Sequence, residues 1–125
     1  MTTPPEARRD LGDAAEARAC RFLSGAGMTV AARNYRQGGG EIDVVARKGD
    51  LLVFVEVRLR ENASFGTPEE SVDLSKRRRI VRAARHYLST IPASSWREAR
   101  FDVIAIEGDT LRHYPGAFDA RGKII

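Results

Sequence analysis

The chain has 125 residues, 42% of them hydrophobic and 30% charged, with 21 Lys and Arg against 17 Asp and Glu. This fits one globular domain with an adequate core, and a formal charge of +4 with a sequence pI near 9.7 favours an anionic partner such as nucleic acid. A single cysteine, Cys20, excludes a disulfide framework and a cysteine zinc site and suits a reducing cytoplasm; no apolar run approaches a membrane span, and the opening MTTPPEARRD has no signal-peptide core.

Residues 1–10, with Pro4 and Pro5, read as a frayed start. A helix is expected from about Glu6 to Leu23, with Leu11, Ala15, Ala19 and Phe22 on one stripe and Gly25 and Gly27 as breakers. Glu16 has no basic residue three or four positions away, so its partner must come from outside its helix. Gly12, one turn earlier, costs about 1 kcal/mol against alanine. Close approach of that turn to a sheet would account for it and would aim Glu16 at the strands. Met28 to Tyr35 reads as a first strand. Gln37-Gly38-Gly39-Gly40 lacks the Gly-Lys-Ser/Thr ending of a phosphate-binding loop and reads as a flexible connection.

From Gly40 to Arg60 the sequence GEIDVVARKGDLLVFVEVRLR gives two β-patterned runs around a turn. Alternation puts Glu41, Asp43 and Val45 on one side of the first, and Leu52, Phe54, Glu56, Arg58 and Arg60 on one side of the second. A turn centred on Lys48 and Gly49 sets Val45 against Leu52 and Asp43 against Phe54, leaving Asp43 diagonal to Glu56. Diagonal neighbours lie about 7–8 Å apart, and a hard cation with oxygens at about 2.0–2.1 Å can bridge two such carboxylates. The other side of the second run, Leu51, Val53, Val55, Val57 and Leu59, is wholly aliphatic, which marks a central strand. Carboxylates there need a partner or a metal. The competing reading is an ordinary surface ion pair between Glu56 and Arg58.

A second helix is expected to begin between Thr67 and Ser75 and to end near Leu88. Thr67-Pro68-Glu69-Glu70 has the form of a capping box, and Ser75 is the other candidate cap. Lys76 shares a face with Ile80, Ala83, Ala84 and Tyr87, whereas Arg78, Arg82 and Arg85 fall on another, readable as a phosphate-tracking surface or as a solvated basic face. IPASSW is a linker, followed by strands at Arg100 to Ile106 and Leu111 to Tyr114 and a tail from residue 119 to 125. The strand, helix, strand connection makes Phe101 to Ile106 parallel to Leu51 to Leu59. His86 and His113 lack metal spacing and read as structural, and no Ser/His/Asp set stands out. The expected fold is α/β, a single domain over residues 11–118 with a mixed central sheet flanked by helices in the order α-β-β-β-α-β-β.

The succession GDAAEARACRFL, RNYR, GEIDVVA, LVFVEVRLR, a Lys- and Arg-rich helix ending HYL, RFDVIAI and YPGAF, from about Leu11 to Phe118, resembles the YraN-like bacterial family. That family is similar to the PD-(D/E)XK nuclease superfamily, with its restriction endonuclease-like core, and archaeal Holliday junction resolvases are nearest in architecture. The resemblance implies a metal-dependent endonuclease hydrolysing DNA phosphodiester bonds, on branched DNA and as a homodimer. It implies Glu16, Asp43, Glu56 and Arg58 as catalytic residues, and Mg2+ or Mn2+ held by Glu16, Asp43, Glu56 and the Val57 carbonyl. Lys76, Arg78, Arg82, Arg85 and Arg60 are the expected nucleic-acid contacts. Ile42 stands where the superfamily has proline and Arg58 where it has lysine. Arginine stays protonated and cannot be a general base, so its expected part is to stabilise the phosphate. The same substitution supports the alternative, a non-catalytic nucleic-acid-binding or scaffold protein that keeps the fold.

Overall fold

A computed structural model of the chain describes residues 5–60 and 72–125, with side chains from residue 10 onward in those spans. The loop expected over 61–66 and the Thr67-Pro68-Glu69-Glu70 capping box lie outside the described residues. The elements are α1 (Pro5–Gly25), β1 (Thr29–Gln37), β2 (Gly40–Lys48), β3 (Leu51–Leu59), α2 (Leu74–Ser89), a 3-10 turn (Ala93–Ser95), β4 (Glu98–Glu107) and β5 (Thr110–Phe118). This is the expected order, with the last strand running on past Tyr114. The sheet has five strands in sequence order. The β3–β4 pair is parallel and the others antiparallel, as the crossover through α2 requires.

Helices cover both faces, giving two cores. On the α2 side Ile42, Val45, Leu52, Phe54, Ile80, Ala83 and Val103 pack together; on the α1 side Ala15, Ala19, Leu23, Val44, Val53, Val55 and Ile104 do. The α1 stripe is therefore Ala15, Ala19 and Leu23, while Leu11 and Phe22, expected on it, are 48% and 37% exposed. Steps of four residues keep that stripe against β3. Phe22, one position off it, meets the edge of His113 instead, with ring centroids 5.4 Å apart. Gly12 does not serve close packing, since a Cβ there would meet nothing within 4 Å.

Three local expectations are corrected or narrowed. The β2–β3 turn falls on Gly49 and Asp50, because Lys48 pairs with Leu51, Arg47 with Leu52 and Val45 with Phe54. Gly49, at φ 60, supplies the positive dihedral of a two-residue hairpin loop. This is a slide of two residues from the expected register, so the faces are unchanged. The α2 cap is Asp73, not Ser75: its backbone is extended and its Oδ1 accepts from the Lys76 N–H at 2.8 Å. The connection expected over Gln37-Gly38-Gly39-Gly40 is narrowed to a two-residue hairpin loop, with Gly38 and Gly39 at φ of 68 and 80 and Gln37 paired to Gly40.

The residues after β5 fold back onto α2. Phe118 bridges Ile124, Asp119 Oδ1 accepts from the N–H groups of Arg121 and Lys123 at 2.9 Å each, and Arg77 Nε donates to the Gly122 carbonyl. Among the described residues no helix is long and apolar enough to cross a membrane.

Candidate active site

The site grows from a fault in β2. Ile42 and Val44 are two residues apart and should share a face, yet Ile42 lies in the α2-side core and Val44 in the α1-side core. On β1, Asn34 lies between the pairs Arg33–Val44 and Tyr35–Ile42 and has φ 52, the positive value that accompanies such irregularities. Between Ile42 and Val44 sits Asp43. Its carboxylate reaches the backbone of the neighbouring strand, where Oδ2 accepts the Val57 N–H at 2.8 Å. The β2–β3 ladder is paired as far as Val44 with Val55. Continuing that register by one residue sets Asp43 opposite Glu56, nearer than the diagonal relation expected.

Glu56 is 4% exposed and its Oε2 has no hydrogen-bond partner. Burial first, then the Asp43 charge, pushes its pKa up to about 8. Burial also raises Asp43, against the opposing hydrogen bond from Val57. On the α2 side, Lys76 Nζ lies 3.0 Å from Glu41 Oε1 and 3.8 Å from Glu56 Oε1. Burial pulls on its ammonium, but Glu56 and Glu41 outweigh that and raise its pKa, so the lysine is a cation here. Glu41, lowered chiefly by its hydrogen bond to Lys76, also meets Arg36 Nε at 3.5 Å and Arg79 Nη2 at 3.6 Å. Arg58 Nη1 stands 4.0 Å from Glu56 Oε1 at the more exposed end.

Gly40 lets α2 sit this close. A Cβ there would fall 1.8 Å from the Arg79 carbonyl oxygen, so only glycine admits the helix backbone beside β2. Lys76 and Arg79 are thereby brought over Glu41 and Glu56.

Of the expected site residues, Asp43, Glu56, Arg58 and Val57 are brought together, and from α2 Lys76 joins them while Arg78, Arg82 and Arg85 do not. Glu16 approaches from α1. Its partner does come from outside the helix: Arg33 Nη2 lies 3.7 Å from Oε1, an ionic contact too long for a hydrogen bond, and Oε1 is buried without one. Burial and then Asp43 raise the Glu16 pKa, which ties it electrostatically to the site. Among the described residues, however, no three His, Cys, Asp or Glu side chains stand close enough to form an ion-holding group. Arg78, Arg82 and Arg85 line a separate cleft with Arg121, and Arg60 lines another beside Leu11, Ala15 and Arg18. Glu41 was not among the expected site residues; its spacing of two from Asp43, opposite an inward lysine, is the signal that could have found it.

The family model described as Uncharacterised protein family UPF0102 matches residues 15–106, a span that holds Glu16, Asp43, Glu56, Arg58 and Lys76. A UPF0102 protein of Myxococcus xanthus (strain DK1622) is 47% identical over 120 residues, covering 93% of this chain and 94% of the relative. Another from Acidovorax sp. (strain JS42) is 46% identical over 123 residues, covering 95% and 92%. One from Lachnoclostridium phytofermentans is 44% identical over 110 residues, covering 86% and 92%. These matches agree with the YraN-like resemblance of the sequence.

Proposed function

This chain belongs to the uncharacterised protein family UPF0102, and we propose that it is a Mg2+- or Mn2+-dependent nuclease that hydrolyses DNA phosphodiester bonds, branched DNA included. The observation that carries the reading is the pair Asp43 and Glu56: two carboxylates side by side, Asp43 half-buried and Glu56 buried with an unpartnered oxygen and a pKa of about 8. Such a pair is costly unless a cation completes it. The donors are all oxygens, which suits a hard divalent ion. Asp43, Glu56 and the Val57 carbonyl would hold it, with Glu16 reaching it only by leaving Arg33.

An ion bound there supplies Lewis-acid activation of water and neutralises phosphate charge. Arg58 grips a non-bridging phosphate oxygen and stabilises the charge that develops on it. Lys76 holds the Glu41 and Glu56 carboxylates in place and offers a donor toward the same phosphate. The separation of Glu16 from the pair favours a second reading, in which the chain binds nucleic acid without cutting it.

Both readings meet one experiment. Purified protein is incubated with four-way-junction, linear duplex and single-stranded DNA, with Mg2+ or Mn2+. Cleavage is expected, with Asp43→Asn and Glu56→Gln reducing it at least about 100-fold and Arg58→Ala about 10–1000-fold, while Arg58→Lys keeps activity. A folded sample that neither binds Mn2+ nor cuts any of these substrates leaves the binding reading in its place.

A further inference from the structure

The basic residues of α2 do two different jobs. Lys76 and Arg79 both pair with the Glu41 carboxylate, and Lys76 also lies 3.8 Å from Glu56. Arg78, Arg82 and Arg85 line a cleft of about 330 Å³ with Val81, Ala120 and Arg121, and among the described residues none of these four arginines has a carboxylate at ion-pair distance. Like charges three and four residues apart weaken a helix, so Arg78, Arg82 and Arg85 are not there to stabilise α2.

The second wall of the cleft is a built one. Asp119, the acidic residue of the turn, is spent on the N–H groups of Arg121 and Lys123. The Gly122 carbonyl is anchored by Arg77 Nε at 2.5 Å, and Arg77 Nη1 is in turn tied to the Val72 carbonyl. Gly122, at φ 80, adopts a backbone conformation that favours glycine and lies beside Arg77, Arg78 and Leu74. The Ala120 carbonyl meets Arg85 Nη2 at 3.4 Å. The turn thus holds Arg121 across from the helix arginines, with the Asp119 carboxylate turned to its own backbone N–H groups and beyond ion-pair distance of all four.

We propose that Arg78, Arg82, Arg85 and Arg121 form an anion site for a backbone phosphate of nucleic acid, on the flank of α2 away from Glu41 and Glu56. Arg82 lies on the crest between the two flanks, its Nε 4.0 Å from where a Gly39 Cβ would be. A strand held this way crosses α2 rather than following its axis. That this phosphate lies on the same strand as the one at Asp43 and Glu56 rests on the nuclease reading; the anion site itself does not.

The test is fluorescence anisotropy with a labelled 20-base-pair duplex in EDTA, where no metal-dependent cutting occurs, over a series of salt concentrations. Arg121→Glu and the double variant Arg78→Ala/Arg85→Ala should each weaken binding about tenfold or more and lower the salt slope by about one for each phosphate no longer neutralised. Arg121→Lys should restore most of it, with unchanged thermal unfolding showing that the tail is still folded. Unlabelled duplex should displace the label, and pyrophosphate at equal phosphate concentration should do so far less well. Unchanged affinity and salt slope in the variants overturns the proposal, and so does a site that pyrophosphate fills while DNA binding ignores it. Loss of binding in the variants together with a wild type that never cuts DNA supports the site and removes only the nuclease reading.

Discussion

Glu56 and Asp102 are buried carboxylates on adjacent parallel strands, on opposite faces of the sheet, and they have been treated oppositely. Asp102 is fully buried, yet it accepts from Arg100 Nε and Nη2 at 2.8 and 2.9 Å, from the Gly116 N–H at 3.0 Å, and meets His113 Nε2 at 2.7 Å. Burial alone would raise its pKa, but His113, Arg100 and Gly116 together pull it below the usual carboxylate range. Glu56 is almost as buried and keeps one oxygen without a partner. Burial alone does not decide which way a carboxyl's pKa moves; the supply of donors does. Asp102 closes on its own strand and on β5, whereas Glu56 meets cations only at 3.8 and 4.0 Å, those of Lys76 and Arg58.

Substitution should show the contrast. Asp102→Asn is expected to cost about 2–3 kcal/mol, below the loss for a wholly buried pair because Arg100 is 28% exposed and can rehydrate. A urea midpoint that falls with an unchanged slope would register it; an unmoved midpoint would mean that the Asp102 network contributes nothing. Glu56→Gln should do the reverse in alkaline, metal-free buffer, stabilising the fold by more than about 1 kcal/mol at pH 9. The sign follows from the direction of the shift. A carboxyl raised from 4.5 to about 8 keeps its proton in the folded chain while the unfolded chain has lost it, so stability is full below pH 4.5 and falls as pH rises to about 8. Asp102, lowered from 3.8, contributes above that value and loses its contribution as pH falls. Urea midpoints of the wild type from pH 4 to 9 should therefore decline on the alkaline side, and Glu56→Gln should flatten that decline. The smallest effect is His113→Ala, about 1 kcal/mol, which removes one of the partners of Asp102 and the edge contact with Phe22.

The sequence was legible where one pattern outweighed its alternatives. The aliphatic side of β3, the inward Lys76, the unpaired Glu16 and the parallel crossover all follow from periodicity and connection rules. Other features depended on elements far away in the chain. The hairpin register turned on whether Lys48 or Asp50 flanks Gly49 in the loop, a choice local propensity leaves open. Asp73, Thr67 and Ser75 are all residue types suited to capping α2, and the choice of Asp73 shows only in its extended backbone and its bond to the Lys76 N–H. Gly40 looks like slack until α2 is laid over it. In RFDVIAI the aspartate reads as an interruption of a buried strand, since two of its partners, His113 and Gly116, arrive only when β5 pairs with β4. The C-terminal residues, read as a tail, gain their place from Arg77.

The hydrogen bond from the Val57 amide to Asp43 gives the site a reporter of its own. An amide proton aimed at a carboxylate is strongly deshielded, and its resonance depends on the charge that carboxylate carries. Any cation that draws on Asp43, or any proton added to it, must alter the field at that single nucleus. One cross-peak in a nitrogen–proton correlation spectrum of the unmodified protein could then follow occupancy of the site through a titration, without a substrate and without a label near the chemistry.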